Sequence, residues 1–137
     1  MELCVTKGYV KHLGVANFNG QVLLELLTIC KIKPVALQIE VHPYLPNNAL
    51  VEVAQKNGIL VIAHTPLVRG DNLGLSRNDD INMFKDKVIL EIAAKHGRTP
   101  AQIVLKSTLQ RGIRAIEEDC LIKYDLRFLL INKFILL

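Results

Sequence analysis

Short apolar runs alternate with segments of helical periodicity along the first 116 residues of the chain. The apolar runs predict strands at 10–15, 35–41, 59–63 and 113–116, and the periodic segments predict helices at 21–29, 48–57, 87–96 and about 100–110. Asn19 and Thr99 are suited to begin two of these helices, because their side-chain oxygens can accept free amides of a first turn. The order β-α-β-α-β-loop-α-α-β predicts an α/β fold with parallel strands and helical crossovers.

The pattern changes at two places. The polar segment from His64 to about Asn82 predicts a long loop, and loops of that length are usually functional or disordered. The last 18 residues hold 13 apolar side chains and show no recognisable cap or turn. We therefore divide the chain into an α/β unit over 1–119 and a divergent apolar tail over 120–137.

Composition narrows the classes of function. The 137 residues carry a net charge of +4, with scattered basic side chains, 5% aromatic residues and no Trp, so we expect no nucleic-acid-binding surface. Cys4, Cys30 and Cys120 have neither metal-ligand spacing nor the even count of a disulfide framework, so we expect no metal site. With no signal-peptide pattern and no apolar run of about 18–20 residues, we expect a cytoplasmic protein without a transmembrane segment.

Polar side chains stand at the strand ends where parallel α/β folds bind ligands. Asn17 follows the first strand and can both donate to and accept from an amide group; a turn that only shapes the next helix is the alternative. Gln38 and Glu40 share one face of the second strand. In a buried strand they need polar partners, from a barrel interior or a cofactor, whereas an edge strand would leave that face in water.

His64 and Thr65 follow the third strand. The imidazole ring can stack on a planar ligand and the hydroxyl can reach a phosphate; a plain strand-to-loop turn is the alternative. The chain has no GxGxxG, P-loop, GxSxG or HExxH sequence. This argues against a Rossmann dinucleotide fingerprint, a nucleoside triphosphatase, an α/β-hydrolase and a zinc protease.

Several short segments together resemble the aldo-keto reductases, most closely the aldose, aldehyde and xylose reductase branch, over about residues 1–116. They are K-H-L-G-V-A-N-F at 11–18, K-P at 33–34, Q-I-E at 38–40, H-P-Y at 42–44, A-H-T-P-L at 63–67, A-A-K-H at 93–96, T-P-A-Q at 99–102 and Q-R at 110–111. The resemblance implies part of a (β/α)8 TIM barrel, about four βα units that correspond to strands five to eight. The implied family activity is NAD(P)H-dependent reduction of aldehydes and ketones to alcohols.

The resemblance also implies that catalytic residues are absent from this chain. The family's catalytic Asp, Tyr, Lys and His all come from the first half of the barrel, and Tyr44 belongs to the His-Pro-Tyr segment rather than to that set. We therefore expect no catalytic residue here and no turnover by the chain alone.

Cofactor contacts carry over to five positions of this sequence. Asn17 and Gln38 match the residues that hold the nicotinamide carboxamide, and His64 stands where the family usually has a Tyr stacked under the nicotinamide ring. Ala16 and Thr65 stand where the family usually has Ser, so position 16 loses a hydroxyl and position 65 keeps one.

Two acidic residues alter the expected cofactor preference. Glu118 and Asp119 replace the family's Lys and Ser that hold the 2′-phosphate of NADP, and a carboxylate facing a phosphate reverses the sign of the interaction. The resemblance thus implies NADP(H) as cofactor, weakened at this end, with NAD(H) less disfavoured.

Three interpretations stay open at this point. The chain is a truncated reductase that keeps part of the cofactor site, a non-catalytic module that pairs with itself or with a full-length reductase, or an incomplete gene model of an active reductase. Four strands cannot close an eight-stranded barrel, so the edges and the inward face need a partner.

Overall fold

The computed structural model of the protein describes residues 1–67 and 82–116. These residues form five α-helices, four β-strands and one 3-10 turn. In chain order the elements are α1 Glu2–Thr6, β1 Gly14–Ala16, α2 Gly20–Ile29, β2 Ala36–Glu40, α3 Asn48–Lys56, β3 Leu60–His64, the 3-10 turn Met83–Lys85, α4 Lys87–His96, α5 Pro100–Gln110 and β4 Arg114–Ile116.

The four strands form one parallel sheet in the order β1-β2-β3-β4. Ala36 of β2 pairs with Gly14 on one side and with Leu60 on the other, and Ile62 of β3 pairs with Arg114. Neighbouring strands are consecutive in the chain, and at least one helix connects each pair. The predicted α/β fold with parallel strands is confirmed.

Described helices cover one face of this sheet. That face buries the side chains of Leu37, Ile39, Val41, Val61 and Ala63 against Leu23 of α2 and Val51 and Ala54 of α3. Side chains from α4, α5 and the neighbouring loop form a second cluster, against which Ala115 of β4 packs: Leu67, Met83, Ile89, Ala101, Val104 and Leu105. Consecutive right-handed crossovers place their helices on a single side of a sheet, as seen here.

The opposite face of the sheet is here called the inner face. Its residues are, from the strand register, Gly14, Ala16, Ala36, Gln38, Glu40, Leu60, Ile62, His64, Arg114 and Ile116. Ala36, Gln38, Glu40, Ile62 and His64 are half-buried rather than buried. Hydrophobic burial therefore stabilises the sheet mainly from the helix side.

Helix ends follow the local sequence closely. Asn19 caps α2, with its side chain accepting the Val22 amide at 2.9 Å. Thr99 and Gln102 form a reciprocal capping box at the start of α5. Both predicted caps are confirmed, because capping depends only on residues three positions apart.

The N-terminal segment departs from the prediction. The strand expected at 10–15 is shorter and later, at Gly14–Ala16, and the unpredicted helix α1 precedes it. Tyr9 and Val10 are 74% and 41% exposed, so their apolar character does not reflect strand pairing. Glu2 instead anchors α1 by accepting the amides of Lys31 and Ile32 at 2.7 and 2.8 Å, a contact between distant parts of the chain.

Several predictions fall outside the described residues. These are most of the long loop, at 68–81, the acidic pair Glu118 and Asp119, and the apolar tail at 120–137. Within the described ranges, no helix is both long and apolar enough to cross a membrane.

Candidate functional site

Asn17 lies immediately after β1, at the carboxyl end of the sheet. Its φ of 58° places it in the left-handed region, which Asn tolerates better than most residues. Its amide donates to the Gln38 carbonyl at 2.9 Å, which extends the β1–β2 pairing by one residue. The backbone of Asn17 is thus fixed against β2, and its side chain stands at the rim of the inner face.

His64 joins the ends of β1 and β3. Its Nε2 lies 3.3 Å from Asn17 Oδ1, and its Nδ1 lies 3.0 Å from Thr65 Oγ1. Both β1 and β3 neighbour β2, so their axes are about 10 Å apart, and the imidazole side chain crosses that gap. Because the amide oxygen only accepts, Nε2 donates to Asn17, and Nδ1 of the neutral ring accepts from the Thr65 hydroxyl.

Thr65 is held in a conformation that its side chain disfavours. Its φ is 52°, in the left-handed region, where a β-branched residue is an outlier. Strained residues of this kind cluster at ligand sites. In this conformation the Thr65 hydroxyl lies within hydrogen-bond distance of the His64 ring.

Gln38 occupies the inner face of β2, one row below the end of the strand. Since β2 lies between β1 and β3, the alternative of an edge strand is wrong, although the inner face of β2 is only half-buried. The Gln38 side chain is half-buried. Among residues 1–67 and 82–116 it makes no hydrogen bond, so its amide is available to a ligand.

Glu40 and His42 form a pair at the end of β2 that the sequence did not reveal. Glu40 Oε1 lies 3.1 Å from His42 Nε2, and His42 is only 8% exposed. Within the described parts of the chain, the buried Nδ1 of His42 has no hydrogen-bond partner. The signal that could have found the pair is the spacing of two along an extended chain, which places both side chains on one face.

Tyr44 connects the end of β2 to the start of α4. Its hydroxyl donates to Asp86 Oδ2 at 2.9 Å, while Asp86 Oδ1 accepts the amides of Val88 and Ile89. The amide of Ile89 and the Tyr44 hydroxyl, with the amide of Val88, hold the pKa of Asp86 below its ordinary value. Burial, and then the Asp86 carboxylate, raise the pKa of Tyr44.

The structure thus brings three of the five predicted site residues into one hydrogen-bonded group: Asn17, His64 and Thr65. Gln38 and Ala16 lie beside that group, paired with each other in register across β1 and β2. Ala16 contributes no polar atom. Within the described residues, no group of three or more His, Cys, Asp or Glu side chains is arranged to hold a metal ion.

An apolar cleft of about 400 Å³ lies apart from this group, between α1, β1 and α2. Its lining includes Leu13, Phe18, Leu26 and Ile32, and it contains none of the five predicted site residues. We assign the candidate site to the inner-face rim, because polar groups that fix a ligand's orientation converge there.

Comparison with known proteins gives a consistent result. NAD(P)H-dependent D-xylose reductase xyl1 of Aspergillus niger is 41% identical over 122 residues, which are 87% of this chain and 38% of that protein. Aldo-keto reductase family 1 member A1 of Cricetulus griseus is 38% identical over 119 residues, again 87% of this chain and 36% of that protein. The chain therefore spans little more than a third of the length of these relatives.

Solved structures show the same partial likeness. The aldose reductase from Schistosoma japonicum matches with a TM-score of 0.73 and 40% identity, over 85% of this chain and 34% of that one. An aldo-keto reductase of the silkworm Bombyx mori matches with a TM-score of 0.74 and 33% identity, over 85% and 35%. These neighbours are TIM-barrel proteins, so the expectation of a partial (β/α)8 barrel is confirmed.

A model of the Aldo/keto reductase family matches residues 1–117, most of the chain. The same residues contain the four-stranded sheet and the group at its carboxyl end. The chain belongs to the aldo/keto reductase family.

Proposed function

We propose that the chain binds the nicotinamide end of a dinucleotide cofactor at the rim formed by Asn17, Gln38, His64 and Thr65. The hydrogen-bonded group of Asn17, His64 and Thr65 carries this proposal, because it places a planar ring and an amide together at the ligand end of a parallel sheet. The A. niger relative is named as an NAD(P)H-dependent reductase, which agrees with it.

The side chains present fit such a ligand. Asn17 Oδ1 accepts from His64 Nε2, and Asn17 Nδ2 can donate to a carboxamide oxygen, while the side-chain amide of Gln38 can both donate and accept. The His64 ring, held from both sides, offers a flat surface for stacking. A reduced nicotinamide bound there would supply a hydride to a carbonyl carbon.

We further propose that the 137-residue chain binds cofactor without turning over a carbonyl substrate. The four catalytic residues implied by the resemblance have no counterpart in the sequence, and the chain covers 38% of the A. niger reductase. Carbonyl reduction then belongs to a complete barrel. Oxidation of NADH or NADPH by the purified chain with an aldehyde should not exceed the rate in buffer.

Thermal unfolding with and without NADH tests the binding proposal. A ligand that binds only the folded state stabilises it by about 2.7 kcal/mol at a hundredfold excess over its Kd. Asn17→Gly should reduce this stabilisation, since glycine keeps the left-handed backbone and removes only the amide. Gln21→Ala, on the exposed side of α2, is the control. Equal stabilisation of all three proteins would contradict the assignment of Asn17.

We propose that NADH binds at least as well as NADPH, because Glu118 and Asp119 stand where the family has Lys and Ser. Glu118→Lys should restore a charge-assisted bond to the 2′-phosphate, worth about 1.5–3 kcal/mol, and so tighten NADPH binding by tenfold or more. NADH, which lacks that phosphate, should be unaffected. A parallel gain for both cofactors would show a general charge effect instead.

A second proposal concerns the partner of the inner face: two copies of the chain pair about a twofold axis parallel to the strands. The sheet of the described residues ends at β1 and β4, which are parallel. The axis places β4 of one copy beside β1 of the other, gives eight parallel strands and covers both inner faces. Sedimentation should show a dimer, which Ile62→Lys on the inner face should dissociate. A folded wild-type monomer at all concentrations would reject it.

A further inference from the structure

We infer that His64 makes the binding of the oxidised nicotinamide cofactor depend on pH while leaving that of the reduced cofactor nearly constant. The inference rests on the proposed function, because it requires the nicotinamide ring to lie against the imidazole. It goes beyond that function by assigning a redox preference to one side chain.

The geometry lets the ring change charge without moving. Nε2 donates to Asn17 Oδ1 in both charge states, because the amide oxygen only accepts. Nδ1 accepts from the Thr65 hydroxyl when the ring is neutral. When Nδ1 gains a proton, the hydroxyl turns and accepts from it instead. Both hydrogen bonds therefore persist, and only the charge of the ring differs.

Charged groups around the ring come from two strands and one turn. Glu40 of β2 pairs in register with His64, and its carboxylate is hydrogen-bonded to His42 in the following turn. Arg114 of β4 belongs to the next row of the inner face, opposite Ile62. On the β1 side, Asn17 is uncharged. Glu40 and Arg114 are therefore the charged residues of the described inner face that lie nearest to the ring in the strand register.

The oxidised and reduced forms of the cofactor differ in the charge of the nicotinamide ring. The oxidised nicotinamide ring carries a positive charge and the reduced ring is neutral, while the rest of the dinucleotide is the same. Histidine changes its charge between about pH 5 and 8. A protonated His64 therefore repels the oxidised ring but not the reduced one. Two unit charges about 4 Å apart in a water-like dielectric change a binding constant about fivefold, and partial burial increases the factor.

Parallel titration of the full chain with NAD⁺ and NADH tests the inference. These two cofactors are chosen because they lack the 2′-phosphate, which itself titrates near neutral pH. Between about pH 8.5 and 6, the ratio of the Kd for NAD⁺ to the Kd for NADH should rise about two- to fourfold, part of the change that full protonation of the ring would give. His64→Phe keeps an aromatic ring without a charge, and it should make the ratio independent of pH.

Two further variants keep the result interpretable. His96→Gln alters an exposed histidine at the end of α4 and should retain the wild-type pH dependence. If His64→Phe does not fold, as judged by circular dichroism, His64→Gln takes its place and should also give a flat ratio. A wild-type ratio that is constant with pH overturns the inference, as does an unchanged dependence in the His64 variant.

The test separates failure of the inference from failure of the proposed function. If NADH binds and the ratio is flat, only the redox preference is wrong. If neither cofactor binds at any pH, the nicotinamide site is wrong and the inference falls with it.

Discussion

Asn17 and Thr65 end two strands of the sheet with the same left-handed backbone, at φ values of 58° and 52°. For Asn this conformation is common, and for Thr it is costly. The chain tolerates the cost at the residue whose hydroxyl contacts His64. The left-handed backbone of Thr65 therefore lowers the free energy of unfolding relative to a residue that adopts this conformation without strain.

Replacement of Thr65 by Gly and by Ala separates the strain from the hydroxyl. Both variants lose the hydrogen bond to His64, but only glycine relieves the left-handed backbone. Thr65→Gly should be more stable than Thr65→Ala by about 1 kcal/mol in urea unfolding. The same pair of variants at Thr28, a helical position of α2, should give the reverse order by about 0.5–1 kcal/mol. The same order at both positions would argue against strain at Thr65.

Asp86 links two elements, because one carboxylate begins α4 and also accepts from Tyr44 after β2. Its lowered pKa means that the folded state favours the ionised form. That contribution to stability is fully present above about pH 4, the value for an unfolded Asp, and is lost as the pH falls through the lower folded pKa.

Asp86→Asn should therefore reduce stability at neutral pH, although asparagine can still cap the helix. The difference from wild type should shrink as the pH falls below about 4, because Asp86 is then protonated first in the unfolded state and, at its lower pKa, in the folded state. Urea unfolding midpoints of both proteins, at neutral pH and below about pH 4, measure this difference. Glu91→Gln removes the same charge from an exposed position of α4 and is the control. A difference that persists in acid would assign the effect to shape rather than to charge.

Helices α2 to α5 were predictable almost residue by residue, whereas helix α1, strand β1 and the partner of His42 were not. The caps Asn19 and Thr99 act within one turn, so the sequence alone contains the information. The limits of β1 depend instead on which residues pair with Ala36–Gln38 in the neighbouring strand. Likewise, the residues next to His42 in the sequence do not indicate its burial, and only the fold places it against Glu40. The site positions were predictable because they follow strand ends, but the bond from His64 to Asn17 spans 47 positions.

At the scale of the whole molecule, the described part of the chain is a sheet with helices on one side. Leu37 faces that side and is fully buried, while Ile62 faces the inner side and is half-buried. A complete barrel would bury both. Substitution of each residue therefore measures the contribution of one face of the sheet to stability.

Leu37→Ala should cost about 2–5 kcal/mol, because it leaves a cavity in the main core. Ile62→Ala should cost less than Leu37→Ala at low protein concentration, because part of the Ile62 side chain already contacts water. Urea unfolding at two concentrations measures both. If the destabilisation by Ile62→Ala increases with protein concentration, the result agrees with pairing through the inner face. If Ile62→Ala destabilises the chain as much as Leu37→Ala in dilute solution, the result contradicts the one-sided fold.

Parallel pairing also sets the order in which the chain can fold. No two parallel strands can meet through a tight hairpin, so each pairing waits for a long crossover to close. The partners in β1–β2 and β2–β3 lie fewer than 25 residues apart along the chain, whereas Ile62 and Arg114 lie more than 50 apart. Loop closure becomes entropically harder with length, and contacts between distant residues slow folding. We therefore expect the first three strands to pair first and β4 to join the sheet last.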